Sequence, residues 1–210
     1  MRARPFATLV SSGSLGLFAT QLPTVLKLGS EAGSLGMIEC HLARANPHWN
    51  DLAEGGEALM IFHGAQGYIS PNWYPSKAAN HKVVPTWNYA TVHAYGRPVV
   101  MDQDDWKRRH VAELTDQQEQ ASLTATASAG PQHGASQRPW SLSDAPEEFV
   151  ATMLRAIIGF RFAINRLEGK AKLSQNRDSA DRLGVAAGLE ARGANQDAEM
   201  ATLVAALLPK

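Results

Sequence analysis

The segment from Tyr68 to Tyr89, YISPNWYPSKAANHKVVPTWNY, decides what the surrounding chain can form. It holds five of the nine Trp and Tyr residues of the chain, together with three prolines and two lysines. Each proline removes a backbone donor from a strand and breaks a helix interior, so Pro71, Pro75 and Pro85 exclude both elements. A connection of about sixteen residues between strands is usually functional or disordered, and the aromatic content argues against disorder. We therefore predict an ordered loop with a function.

Short apolar runs on either side of this loop predict the fold. From Phe6 to about Met101 they alternate with turn residues, which predicts seven short strands in a barrel or sandwich. These runs are FATLV, LGLFAT, LGMIECH, ALMIF, GYIS, YATVHAY and RPVVM. Between the third and fourth runs a short helix is predicted, with Asn46 at its cap, Pro47 at its first position and Gly55 at its end.

The rest of the chain predicts helices with one strand among them. Asp102 caps a predicted helix. The stretch 117–137 has almost no bulky apolar residue and a single charge, so we expect a disordered insertion there. A capping-box pattern at Asp144 and Glu147 predicts the start of a helical C-terminal part, 144–210, which includes a strand at FRFAINRL. With no internal repeat and no linker, we expect a single domain over 1–210.

Composition excludes several classes of function. Twenty basic residues balance twenty acidic ones, so no global field draws the chain to nucleic acid or to an anionic membrane. Cys40 is the only cysteine, which excludes an internal disulfide and favours a reducing, cytoplasmic location. Polar residues interrupt the apolar stretch that follows MRARPFATLV, so no signal peptide is expected, and no run approaches the length of a membrane span.

Three segments carry candidate site residues. In HLARANPHW, His41, Arg44 and Asn46 stand at a helix start, where free N–H groups and a guanidinium suit a phosphate; an ordinary cap beside a surface arginine is the alternative. In the aromatic loop the rings could wall a flat conjugated ligand or pack as plain core. In KAKLSQNR, directly after a predicted strand, polar density either borders a ligand or is a solvated strand end. The candidates in the last two segments are Ser70, Trp73, Tyr74, Lys77, Lys82, Thr86, Trp87, Asn88, Lys172, Ser174 and Gln175.

Other chemistries find no support in the motifs. None of the seven histidines forms a recognised helical ligand pair, so no metal site is predicted. The chain has no G-x-S-x-G elbow, no P-loop, no dinucleotide fingerprint and no convincing helix-turn-helix.

Three segments resemble the PaiB family in their order and spacing. They are HLARANPHW, YISPNWYPSKAANHKVVPTWNYATVHAYG and EGKAKLSQNR. That family is described as FMN-binding negative transcriptional regulators, related in fold to the split-barrel flavoproteins that include pyridoxamine phosphate oxidase. The resemblance covers nearly the whole chain from Pro5. It implies a mainly β fold with flanking helices, a split β-barrel that forms a homodimer and binds FMN near the subunit interface. It places His41, Arg44 and Asn46 at the phosphate, and Trp87 and Asn88 near the ring.

Two departures from the family pattern bear on the cofactor. Relatives have a helix before the segment matching RARPFATLV, where this chain has four residues, and an aromatic residue at the position of Ala171. Three functions stay open: an FMN-binding regulator that does not itself read DNA sequence, a flavin-dependent oxidoreductase on the same scaffold, and a flavin-free scaffold protein. Because the first follows from the resemblance, it is the leading hypothesis.

Overall fold

The computed structural model describes residues 1–14, 16–29, 34–129 and 138–208, without the side chains of 125–129. Its six strands are antiparallel where their pairing register is given, and they close into a barrel in the order β1, β2, β3, β6, β5, β4. The strands are β1 (Phe6–Gly13), β2 (Gly16–Lys27), β3 (Met37–Ala43), β4 (Ala58–Ile69), β5 (Thr86–Met101) and β6 (Ile157–Lys172). The helices are α1 (His48–Ala53), α2 (Ser76–Asn80), α3 (Asp104–Ala129), α4 (Glu147–Arg155), α5 (Ser179–Arg192) and α6 (Asp197–Ala205). The predicted fold class, mainly β with flanking helices, is confirmed.

Several predicted runs are parts of longer strands. ALMIF and GYIS both belong to β4, while YATVHAY and RPVVM both belong to β5. The glycines between them were interpreted as turn residues, but they permit close backbone approach: a Cβ on Gly96 would lie 2.2 Å from the carbonyl oxygen of Ala163. The strand predicted at FRFAINRL is present in β6.

Disorder was wrongly predicted for 117–129, because α3 continues as a helix to Ala129. Ala and Gln are the commonest residues of this stretch, and extending an existing helix through good helix formers needs no new nucleus. Two contacts hold it: Gln117 Nε2 donates to the carbonyl of Thr24 at 3.1 Å, and Glu119 accepts from the backbone N–H of Trp140 at 3.1 Å. The remainder of the predicted insertion, 130–137, lies outside the described residues.

The chain divides into two compact units. The first unit comprises Met1–Phe62 and Ala94–Leu167, and the second comprises His63–His93 and Glu168–Lys210. The single domain that the sequence predicts stays a prediction. Among the described residues, no helix combines the length and the hydropathy that crossing a membrane requires.

Each unit has its own apolar core. In the first unit, β3 and β6 bury Ile38, Cys40, Phe160 and Phe162 completely, and burial raises the pKa of Cys40 to about 12, which keeps the thiol protonated. In the second unit, the core forms around α5 and α6. Its buried members are Ala65, Ile69, Tyr74, Leu173, Val185, Ala186, Leu189, Met200, Ala201 and Val204.

Candidate functional site

The proline-rich loop of the second unit is ordered, as predicted. A 3-10 turn at Pro71–Trp73 and helix α2 lie between β4 and β5. The hydroxyl of Ser70 accepts the backbone N–H of Asn72, whose side chain accepts from Lys77 at 2.6 Å. Asp181 of α5 accepts both the backbone N–H and the hydroxyl of Ser76, at 3.1 and 2.8 Å. Ser70 and Lys77 therefore bond within the loop itself.

Two of the loop aromatics belong to the core. Tyr74 is 2% exposed, and Trp73 packs against α5 so closely that a Cβ on Gly188 would lie 2.3 Å from its ring. The Tyr74 hydroxyl has no partner with hydrogen-bond geometry among the described residues. For Trp73 and Tyr74, the packing alternative is the one that the structure supports.

A cavity of about 180 Å³ lies beside Tyr74. Its lining consists of side chains from the loop, the start of β5, the end of β6 and the turn that follows. They are Tyr74, Val84, Thr86, Asn88, Lys172, Ser174, Asn176 and Arg177. Five of these eight were candidates from the sequence, so the aromatic loop and KAKLSQNR do converge. We call this the cationic cavity.

Hydrogen bonds fix the polar groups of the cationic cavity. Lys172 Nζ donates to Thr86 Oγ1 at 2.5 Å, and Asn88 Nδ2 donates to Ser174 Oγ at 3.0 Å. Asn88 and Ser174 are buried, whereas Lys172 is exposed. The polar side chains therefore present two hydroxyls, an amide and an ammonium in fixed positions.

Two cations of the cationic cavity have no carboxylate partner. Neither Lys172 nor Arg177 forms an ion pair within the part of the chain that the structure describes. The Arg177 guanidinium lies 4.7 Å from the centroid of the Tyr74 ring. Burial raises the pKa of Tyr74, and the positive charge of Arg177 opposes that rise, so the phenol stays protonated at neutral pH. The side chains that line the cavity therefore include two cations and no carboxylate.

A tight turn after β6 positions the far wall of the cationic cavity. Ser174 has a φ of 58°, in the left-handed region. Gln175 stabilises this turn, because it accepts the backbone N–H of Leu173 at 2.6 Å and donates to the carbonyl of Ala171 at 2.8 Å. Gln175 thus shapes the turn without lining the cavity, and Ala171 is exposed there.

Trp87 lines a different pocket, of about 600 Å³, which we call the amide pocket. Side chains alternate between the two faces of a strand, so Trp87 faces away from Thr86 and Asn88. The sequence placed Trp87 and Asn88 together near a flavin ring, but the alternation puts them in separate cavities. The amide pocket is lined by Gln66, Gly67, Tyr68, Trp87, Arg192, Ala194, Asn195, Gln196 and Asp197.

Arg44, in the first unit, bonds extensively within the protein. Its guanidinium donates to the carbonyls of Arg155 and Ile157, each at 3.0 Å, and to the carboxylate of Asp102. The hydrogen bond from Arg44, together with Lys107, holds the pKa of Asp102 below its usual range. Contact between Arg44 and a phosphate stays a prediction. The phosphate would have to share the guanidinium with three acceptors of the protein itself.

The cap predicted at Asn46 is wrong by one residue, because α1 begins at His48 and its N-cap residue is Pro47. Asn46 Oδ1 accepts the backbone N–H of His48 at 3.0 Å, and its amide donates to Thr20 at 3.2 Å. Both polar ends of the Asn46 side chain therefore have partners in the first unit.

The partly buried His41 pairs with the buried His110. Its Nδ1 lies 3.0 Å from Nε2 of His110, and burial lowers the pKa of both rings, that of His110 to about 3. His41 also lines an otherwise apolar cavity of about 240 Å³ beside α4. A neutral His41 supplies no positive charge for a phosphate.

Some side chains that line the cavities were not among the sequence candidates, and seven of the fourteen candidates, Lys82 among them, line none of the three cavities. Lys82 is exposed, and its backbone N–H bonds to Asn80 in the loop. Arg177 stands within the quoted segment KAKLSQNR and could have been selected by its charge. By contrast, no motif marks the link between α5 and α6 that lines the amide pocket. Among the described residues, no group of three or more His, Cys, Asp or Glu side chains could hold a metal ion.

Comparison with known proteins identifies relatives along most of the chain. A family model described as "Putative FMN-binding domain" matches residues 1–166. An uncharacterized protein of Aspergillus fumigatus is 35% identical over 75% of this chain and 67% of its own length. An uncharacterized protein of Emericella nidulans is 31% identical, over 89% of this chain and 80% of its own. The protease synthase and sporulation protein PAI 2 of Bacillus subtilis is 29% identical, over 86% and 76%.

Solved structures support the fold. The flavocytochrome Anf3 from Azotobacter vinelandii is similar at a TM-score of 0.50, with 13% identity over 81% of this chain and 63% of that chain. At this identity the similarity concerns the fold alone.

Proposed function

Because this chain belongs to the family of FMN-binding domains and its cofactor is FMN, we propose that it is a flavin-binding regulator that holds the FMN phosphate in the cationic cavity. The observation that supports this site is the meeting of two unpaired cations, Lys172 and Arg177, with the hydroxyls of Thr86 and Ser174. When bound, FMN supplies one- and two-electron redox chemistry through its isoalloxazine ring.

The cationic cavity fits a phosphate monoester in charge and in size. A phosphate carries close to two negative charges and accepts several hydrogen bonds, for which Arg and Lys are the usual partners. Thr86, Ser174 and the unpartnered hydroxyl of Tyr74 are further donors. A volume of about 180 Å³ is below the roughly 300 Å³ at which drug-sized ligand pockets begin, so the cavity suits the phosphate end of FMN and not the whole molecule.

The regulatory role rests on kinship and on charge. The relative PAI 2 is named for protease synthesis and sporulation, and the match covers most of both chains. A net charge of zero gives the chain no general attraction to DNA phosphates. We propose that it acts in the cytoplasm as a negative regulator through FMN or a protein partner, without reading DNA sequence itself.

A homodimer completes the proposal. Large apolar side chains are exposed around the apolar cavity of the first unit: Trp140 by 44%, Phe149 by 57% and Met153 by 46%. Such a patch on a folded chain marks a surface that a partner covers. Light scattering at micromolar concentration should give twice 22.7 kDa, and a mass near 22.7 kDa would contradict the dimer.

The decisive experiment compares FMN with riboflavin on the purified protein, by titration of the flavin absorbance change. Losing one charge-assisted contact costs about 1.5 to 3 kcal/mol, so riboflavin should bind roughly ten- to a hundredfold more weakly. Equal affinities would refute a phosphate site.

Two further assays on the purified protein distinguish the proposed regulator from the alternative functions. Sustained oxidation of NADH or NADPH by the FMN-loaded protein would favour the oxidoreductase hypothesis. Tight binding of one genomic fragment over competitor DNA at physiological salt would restore a direct repressor.

A further inference from the structure

The amide pocket has aromatic walls that remain open to solvent. Trp87 is 50% exposed and Tyr68 is 40% exposed, and their ring centroids lie 6.2 Å apart at an interplanar angle of 64°. The indole N–H of Trp87 donates to Gln66 Oε1 at 3.1 Å, which fixes the plane of the ring. An oriented, half-exposed indole offers a face on which a flat ring can stack.

Uncommitted amide groups stand beside these rings. The side-chain oxygen of Gln196 accepts the backbone N–H of Gln66 at 3.1 Å, which positions the Gln196 amide. The side-chain NH₂ groups of Gln66, Asn195 and Gln196 make no hydrogen bond within the described part of the chain. The pocket therefore provides donors to the edge of a ring stacked on Trp87.

The charges at the base of the amide pocket cancel. Arg192 donates to both carboxylate oxygens of Asp197, at 2.6 and 2.7 Å, and its remaining terminal nitrogen donates to the carbonyl of Tyr68 at 2.9 Å. Hydrogen bonding to Arg192 lowers the pKa of Asp197, so both groups stay ionised and paired at neutral pH. No free cation remains there for a phosphate, in contrast with the cationic cavity.

We infer that the amide pocket is a second ligand site, for an uncharged planar heteroaromatic ring of the purine class, separate from the flavin phosphate site. Its volume of about 600 Å³ falls within the usual range for small-molecule sites. Stacking on Trp87 provides affinity, with the Tyr68 ring inclined at 64° beside it, while the free amides recognise ring nitrogen and carbonyl acceptors. β5 keeps the sites apart, because Thr86 and Asn88 line one cavity and Trp87 lines the other. This inference does not depend on where the phosphate binds.

Adenosine is the probe, titrated calorimetrically into the FMN-saturated protein. We expect one adenosine per chain and a dissociation constant that FMN does not change. Trp87→Ala should weaken adenosine binding roughly five- to a hundredfold, since stacking of a base on an aromatic side chain contributes about 1 to 3 kcal/mol. Trp87→Phe keeps an aromatic face, so its affinity should fall between those of the parent and Trp87→Ala. Gln66→Leu should also weaken binding, because it removes an amide donor and the acceptor that orients the Trp87 indole.

Phe6→Ala is the control, because Phe6 is an aromatic side chain that is 61% exposed, lies in the first unit and lines none of the three cavities. It should leave the adenosine affinity unchanged. Absence of adenosine binding would overturn the inference, and so would competition between FMN and adenosine. It would also be overturned if Trp87→Ala and Trp87→Phe had the melting temperature of the parent protein and bound adenosine with the parent's affinity. Competition would assign the amide pocket to the flavin itself, and it would leave the riboflavin comparison as the test of the phosphate site.

Discussion

Lys172 and Thr86 lie far apart in sequence, yet the ammonium of one donates to the hydroxyl of the other at 2.5 Å. This contact brings the end of β6 to the start of β5 and places one of the two unpaired cations in the cationic cavity. Lys172→Gln and Arg177→Gln should each weaken FMN binding roughly ten- to a hundredfold, because each removes a charge-assisted contact to phosphate. Riboflavin binding should change little, and flavin titration measures both.

Lys170→Gln is the control for this pair. Lys170 is exposed on the same strand and carries the same charge, but it does not line the cationic cavity. Its FMN affinity should fall much less than that of Lys172→Gln, because Lys170 lies outside the cavity and its loss removes no charge-assisted contact to the phosphate. An equal loss of FMN and riboflavin binding in Lys172→Gln would contradict the phosphate assignment.

Arg44→Ala distinguishes a structural role from a phosphate-binding one. The substitution leaves the carbonyls of Arg155 and Ile157 and the carboxylate of Asp102 without their donor, so we expect a loss of about 1 to 3 kcal/mol in the free energy of unfolding. Urea denaturation measures it. If Arg44 only stabilises the fold, the ratio of FMN to riboflavin affinity should be unchanged. A fall in that ratio would establish the contact predicted from HLARANPHW.

The His41–His110 pair predicts a loss of stability in mild acid. Burial is the main cause of the low pKa of His110, and repulsion from His41, once that ring is protonated in acid, and from Lys27 and Arg109 lowers it further. The unfolded chain binds a proton near pH 6.5 and the folded chain near pH 3, so stability is full above pH 6.5 and falls as the pH drops toward 3. Between pH 7 and pH 5, His110 alone should cost about 2 kcal/mol.

Urea denaturation at pH 7 and pH 5 tests this slope. In His110→Phe, which keeps a ring against Trp106, the loss between the two pH values should shrink, with the remainder due to groups such as His48, whose pKa burial also lowers. An identical pH dependence in the parent and in His110→Phe would show that His110 does not cause it.

Gly184→Ala should destabilise the second unit, although alanine is the better helix former by about 0.5 to 1 kcal/mol. A Cβ at position 184 would lie 2.0 Å from the carbonyl oxygen of Trp73, so α5 or the loop must shift, at a cost of about 1 to 3 kcal/mol. Gly169→Ala is the control, because nothing lies within 4 Å of a Cβ there. Thermal denaturation should show a lower melting temperature for Gly184→Ala only; a rise would mean that the loop yields easily.

Local pattern was sufficient for the strands and for half of the candidate site. Short apolar runs between turn residues predicted the strands. Lys172 and Ser174 were selected because they directly follow a predicted strand, whereas Thr86 and Asn88 were selected as polar residues of the aromatic loop. A strand fixes the direction of its side chains, so residues at its ends can be placed from sequence.

The failures have physical causes. In the irregular loop, the directions of Ser70 and Lys77 depend on contacts such as those with Asn72, which no local pattern reveals. The disorder predicted from 117 ignored a helix already nucleated upstream. The amide pocket draws on the link between α5 and α6, whose sequence has no periodicity or motif to select it.

The alternation of β5 at Thr86, Trp87 and Asn88 limits how homologous chains can differ in length. Removing one residue there would turn the Trp87 indole toward Lys172 and Arg177, and the Asn88 amide toward the Arg192–Asp197 pair. A single deletion would therefore damage the cationic cavity and the amide pocket at once. Removing two residues would restore the original facing. We expect relatives to tolerate exchanges of side chain at these positions, and gaps or insertions only in even numbers.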